Sequence, residues 1–188
     1  MKRYLLYAGL LLLLGGAISL LFTNKQRLWM SDADAPRGIQ SEFPKASERT
    51  SAQLYFANRE NAFLTAENRE FFHAKDPEQF GRDIMNALIK GPQQSDFIST
   101  IPKDTALRAF YIAEDGTAYA DLTEAVSANH PGGSESELMT ICSIVNSLIL
   151  NIPEISSVKI LVEGKESMTL AGHIDLRFPF KANMLLVR

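Results

Sequence analysis

A charge-free apolar run, YLLYAGLLLLLGGAISLLF at residues 4–22, constrains this chain more than any other feature. At about 1.5 Å per residue a helix of that length reaches roughly 30 Å, the thickness of the hydrocarbon core of a bilayer. Lys2 and Arg3 stand before it. Secretory leaders have shorter apolar regions that end close to a small-residue cleavage site. The nearest A-x-A triplet here is Ala33-Asp34-Ala35, well past the run and followed by Pro36. Residues 1–23 therefore read as an uncleaved transmembrane helix. No cysteine stands just after the run to carry a lipid, so the chain itself is expected to span. Lys25 and Arg27 partly balance Lys2, Arg3 and the α-amino group, and the positive-inside rule then places the N-terminus in the cytoplasm and the bulk of the chain outside it.

Residues 24–51 are mostly polar, with few apolar side chains, Trp29, Ile39 and Phe43 among them, the composition of a loose tether. The formal net charge of −3 and the interspersed signs supply no basic stripe, which excludes nucleic acid as the expected partner. Cys142 is the only cysteine and sits among apolar neighbours, so it reads as a small core residue. The histidines, His73, His130 and His173, are far apart in sequence and none has a partner at metal-ligand spacing. Neither a metal nor a cofactor is expected.

From residue 52 the pattern alternates between hairpins and helices. AQLYFA and FLTAENREF are strand-forming runs on either side of the polar turn NREN. DPEQFGRDIMNALIKGP reads as a helix with Asp76 as N-cap, Pro77 at its first position, Gln79 in a capping box, Gly91-Pro92 as stop, and Phe80, Ile84 and Leu88 as its buried stripe. TALRAFYIAEDGTAYADL reads as a hairpin turning at Asp115-Gly116. SESELMTICSIVNSLILNIP reads as a second helix, with Ser134 and Glu137 as a capping box. Its expected buried stripe is Leu138, Ile141, Cys142, Val145, Leu148 and Ile149, opposite a polar face of Thr140, Ser143 and Ser147. SVKILVEGKESMTLAGHIDL reads as a third hairpin around Gly164-Lys165, its first strand central because Ile160, Leu161 and Val162 leave no polar face. The expected fold class is α+β: a mostly antiparallel sheet from three hairpins, with two amphipathic helices on one face, preceded by the transmembrane helix and linker.

LYFAN, ALIKGP, ISTIPKDTALR, DGTAYADL, ELMTICSIVNSLILNIPEISSVKILVEGK and TLAGHIDLRFPFKAN occur in an order and at spacings that resemble the GerMN domain, the sporulation and spore germination module. The resemblance spans residues 52–183 and leaves 184–188 as a C-terminal tail. It implies a non-enzymatic domain of the bacterial envelope, anchored at the cytoplasmic membrane and facing outward. The chain departs from the family in holding a single copy where germination proteins often hold two, and a spanning helix where many use a lipidated cysteine. Other envelope proteins or further copies of the chain are the implied partners, with peptidoglycan as a further candidate. Asp104 stands in IPKDT where the family pattern leads to the expectation of a glycine.

The competing class is a cell-wall hydrolase. In an extended segment His173 and Asp175 share a face, so the carboxylate could orient the imidazole as general base, with Ser134 as nucleophile or a metal-bound water. Ser134 lies in PGGSESE, which is not the strained G-x-S-x-G elbow. Asp175 bonded to turn amides, and His173 fixing a corner above Phe178 and Phe180, explain the same residues without catalysis. No catalytic, cofactor-binding or metal-binding residue is therefore assigned. NHPGG, residues 129–133, reads as a flexible lead into the second helix, and Arg59, Glu60, Lys90 and Lys103 as solvated surface charges.

Overall fold

The computed structural model describes residues 49–59, 63–72 and 76–188, all of them within the compact unit Ala46–Arg188. The expected anchor at 1–23, most of the linker, Glu60 and His73 lie outside the described residues. Among the described residues no helix is long and apolar enough to cross a membrane.

The strands are β1 (Arg49–Asn58), β2 (Leu64–Phe72), β3 (Phe97–Ile98), β4 (Leu107–Ile112), β5 (Thr117–Leu122), β6 (Ser157–Val162) and β7 (Lys165–Glu166). The helices are α1 (Pro77–Lys90), α2 (Ala125–Ala128) and α3 (Ser134–Ile149), with a 3-10 turn at Met184–Leu186. The fold is α+β, but the strands form two sheets, ordered β2-β1-β3 and β4-β5-β6-β7. The expected single sheet of three hairpins is corrected in two places. First, β5 and β6 pair in parallel, because α3 lies between them in sequence and makes their connection a crossover instead of a hairpin. Second, the hairpin after β6 turns at Glu163-Gly164, both at positive φ, and its return strand is only Lys165–Glu166. TLAGHIDL is loop.

The first two hairpins and α1 form as expected. β1 and β2 pair antiparallel over their length, and β4 and β5 turn through Gly116 at φ 81, Asp115 accepting from the Thr117 N–H. Only Gly116 of the Asp115-Gly116 pair takes a positive φ. Asp76 caps α1 by accepting from the Glu78 N–H, Pro77 occupies its first turn and Gly91 its C-cap. Gln79 bonds to Asp83 and Arg82 along the helix surface, so the expected capping box is absent. Asp104 stands at φ 63, a left-handed backbone that favours glycine and that aspartate tolerates better than most residues.

One apolar core joins both sheets and both long helices, drawing on Leu54 and Phe56 of β1, Ile84 and Leu88 of α1, Ile144 and Leu148 of α3, and Val158 and Ile160 of β6. A smaller cluster of Tyr55, Leu64, Met139 and Cys142 forms separately, and burial raises the Cys142 thiol to about 11. The expected two-faced α3 is also corrected. Thr140, Ser143 and Ser147 are as buried as the apolar stripe, because α3 lies along the edge of β1 and reaches past both faces of that strand.

The polar stripe of α3 takes the place of a neighbouring strand. The Tyr55 N–H donates to Ser147 Oγ at 3.0 Å, and Ser143 Oγ donates to the Tyr55 carbonyl at 2.5 Å. One turn on, Asn151 accepts from the Gln53 N–H at 2.9 Å and donates to its carbonyl at 2.8 Å. The periods match closely enough for this: four residues of helix advance about 6 Å, and two residues of strand about 6.6 Å. α1 treats the edge of β4 likewise, Glu78 accepting from the Ile112 N–H and Arg82 donating to the Phe110 carbonyl.

Ser147→Ala is expected to leave the buried Tyr55 N–H without a partner and to destabilise by about 1–3 kcal/mol, measured by chemical denaturation. Thr140→Asp is expected to be as disruptive as Val145→Asp, since both positions are almost fully buried. A mild Thr140→Asp would return that face of α3 to solvent.

Candidate functional site

After β7 the chain makes a tight loop at residues 167–176. Ser167 Oγ donates to the Thr169 carbonyl, Thr169 Oγ1 accepts from the Gly172 N–H, and the Leu176 N–H closes the loop onto the Met168 carbonyl. Gly172 at φ 99 permits the reversal. The loop closes around one side chain, Glu137 of α3, which is fully buried. Glu137 Oε1 accepts from the N–H groups of Leu170 at 2.8 Å and Ala171 at 3.0 Å, and Oε2 accepts from the His173 N–H at 2.9 Å. The His173 ring follows, its Nδ1 standing 3.3 Å from Oε2. Burial pushes the Glu137 carboxyl up, but the amides of Ala171, His173, Leu170 and Ile174 outweigh it and hold the group below its ordinary value.

Glu137 is therefore not a capping-box residue. α3 is capped by Gly133, with no side-chain cap bond, because the carboxylate that would reach back is already engaged by the later loop.

His173 and Asp175 are not a pair. Asp175 takes the Arg177 side chain and its backbone N–H, with Arg177 Nη2 at 2.8 Å, and these bonds lower its carboxyl to about 2. The imidazole meets Glu137 from 36 residues earlier, since the segment is a loop and strand alternation does not apply. Ser134 is exposed and lines a separate shallow hollow of about 330 Å³ with Glu135, Leu138, Met139, Ile174 and Leu186. Phe178, expected to pack under the corner, is 68% exposed; Phe180 is partly buried and bonds through its backbone to Val158.

His130 completes the cluster. Its Nδ1 accepts from the Gly132 N–H at 3.0 Å, and its Nε2 is 3.2 Å from Thr140 Oγ1. Burial lowers its pKa, the Glu137 charge opposes that shift, and His173 adds to it. Among the described residues no three His, Cys, Asp or Glu side chains are placed to hold a metal ion. A carboxylate engaged by several amides and held at low pKa is poorly matched to proton transfer near neutral pH, so its chemistry is positional: it clamps a loop and orients an imidazole. The residue missed in the sequence is Glu137. Its signal was a single acid three residues after a serine, which also fits a helix cap.

Glu137→Gln is expected to lose more stability than His173→Ala. The amide turns an N–H₂ toward backbone donors, and hydrogen bonds to a charged acceptor are each worth about 1.5–3 kcal/mol. The sign of the pH dependence follows from the lowered carboxyl: its contribution is present above the unfolded value of 4.5 and lost as the pH falls through the folded value. Acid unfolding of wild type, followed by circular dichroism, is thus expected to carry a component below about pH 4.5 that Glu137→Gln lacks.

The family model described as sporulation and spore germination matches residues 53–167, more than half of the chain. A Clostridium perfringens protein classed as a lipoprotein is 26% identical, with a TM-score of 0.51, over 71% of this chain and 87% of that one. The first GerMN domain of the sporulation protein GerM from Bacillus subtilis aligns over 71% of this chain and 98% of its own, at 19% identity and a TM-score of 0.55. The tandem GerMN domains of the same protein align at 18% identity and a TM-score of 0.59, this chain covering 46% of that structure. No curated protein sequence matches. By its family match, and with a fold shared with solved GerMN domains, the chain belongs to the sporulation and spore germination family.

Proposed function

We propose that the chain is a non-catalytic assembly module of the bacterial envelope, tethered to the cytoplasmic membrane through residues 1–23 with its folded unit outside the cytoplasm. Membership of the sporulation and spore germination family supports the coarse role, and the charge-free run at 4–22 supports the tether. The observation that carries the non-catalytic reading is the state of Glu137. The carboxylate that orients His173 is buried and taken up by loop amides, so this pair serves the fold. Asp175 and Ser134, the other residues a hydrolase would draw on, bond elsewhere or line a separate hollow. The partners expected of such a module are other envelope proteins, further copies of the chain, or peptidoglycan.

Topology and activity test this together. Alkaline phosphatase fused after Arg188 is expected to be active and to remain with the membrane fraction, and intact mass is expected to retain the apolar run. An inactive fusion would reverse the orientation, and a mature N-terminus beyond Phe22 would remove the anchor. Purified protein is expected not to hydrolyse peptidoglycan or esters, whereas crosslinking in intact cells is expected to yield discrete adducts. Hydrolysis abolished by His173→Ala would replace the assembly reading with an enzymatic one.

A further inference from the structure

The His130 ring bridges two parts of one turn-and-helix junction, which is also held by the Glu137 N–H donating to the Gly133 carbonyl. On one side is the turn at 129–133, where Gly132 and Gly133 take φ of 83 and 86 with no atom near the position of a Cβ. On the other is α3, reached through Thr140. An amide N–H can only donate, so the Gly132 N–H at 3.0 Å requires a lone pair on Nδ1, and the ring proton is then on Nε2. Nε2–H donates to Thr140 Oγ1 at 3.2 Å, and the Thr140 hydroxyl donates in turn to the Thr100 carbonyl at 2.5 Å. The chain Gly132 to His130 to Thr140 to Thr100 runs in one direction and uses the neutral imidazole only.

We propose that His130 is an acid-sensitive latch: neutral, its ring joins the Gly132 N–H to Thr140 of α3, and on taking a second proton at Nδ1 it releases the Gly132 amide. A proton on Nδ1 points at the Gly132 N–H, and two donors cannot share the bond, so one must move. Gly132 is the part free to do so, since the space beside it is open, while the Gly133 carbonyl stays bonded to the Glu137 N–H. The charged groups acting on the ring are Glu137 from α3, which attracts the imidazolium, and His173 from the loop, which repels it when protonated. α2, whose Ser127 carbonyl accepts the His130 N–H, carries no ionisable side chain. The 99–106 segment meets the cluster through the carbonyls of Thr100 and Lys103, the Lys103 side chain being exposed. Burial sets the direction: the folded pKa lies below 6.5, so the latch is closed above that value and opens as the pH falls through the folded one.

The test is a pH titration of the isotope-labelled full chain in detergent micelles, following the His130 ring and the Gly132 amide. The two signals are expected to move with one shared midpoint below 6.5. Exchange of the Gly132 amide is expected to gain about tenfold or more over its intrinsic pH dependence as the latch opens. His130→Asn places an amide oxygen where Nδ1 was, without a titrating group, and is expected to leave the Gly132 signal constant over the same range. A Gly132 amide that ignores the His130 titration in wild type would overturn the proposal, as would one that follows the His173 ring or still titrates in His130→Asn. The wild-type result decides alone should the variant not fold.

Discussion

The bond on which the rest of the structure depends is the one between the Glu137 carboxylate and the amides of Leu170, Ala171 and His173. A lone carboxylate in an apolar interior is heavily disfavoured, and burial becomes tolerable only when its oxygens are met by well-placed donors. The loop supplies them from the backbone, which has no rotamer freedom to lose. In exchange the loop is fixed to α3, which places Leu170 and Leu176 in the main core and leads the chain on to Phe180, paired with Val158 of β6. The C-terminal part of the unit is thereby fastened to the helix that the first sheet also uses.

The same helix shows how a small domain with two open sheets manages their edges. A strand edge is a row of unpaired donors and acceptors that invites other chains. Here Ser143 and Ser147 of α3, with Asn151 just beyond its end, satisfy β1, and Glu78 and Arg82 of α1 satisfy β4, by side chains at i, i+4 spacing. Using helices keeps the unit short, and it obliges the helices to carry polar residues into buried positions.

That obligation explains where the sequence was legible. The α1 cap at Asp76 and stop at Gly91, its stripe of Phe80, Ile84 and Leu88, and the β1–β2 and β4–β5 hairpins are local, and each follows from residues within one turn or one pleat. α3 misleads because periodicity distinguishes apolar from polar, whereas the structure distinguishes satisfied from unsatisfied. Ser143 and Ser147 are polar and buried because β1 supplies a partner 88 and 92 residues away. Glu137 was hidden by a second, equally good local explanation, the helix cap. The parallel pairing of β5 with β6 was implicit in the helix between them, but a hairpin-by-hairpin reading does not consider a crossover. His173 and Asp175 looked like a pair only on the assumption of an extended segment. Asp104 gave the opposite lesson: an aspartate at a position expected to be glycine keeps the glycine-like φ.

The edge arrangement also sets an order of events when the chain is made. The β1–β2 hairpin has local contacts and can form as soon as residue 72 is free. Asn151, which completes the outer edge of β1 at Gln53, lies 98 residues further along the chain. At about 5–20 residues per second of synthesis, the 79 residues from 72 to 151 keep that edge open for roughly 4–16 s before its cover exists. Contacts of such separation are also slow to close once the residues are present. The vulnerable species is thus a nascent hairpin with one bare edge, and its protection against pairing with other chains during that interval has to come from outside the sequence, by a chaperone or by being kept unfolded until the helix has been made.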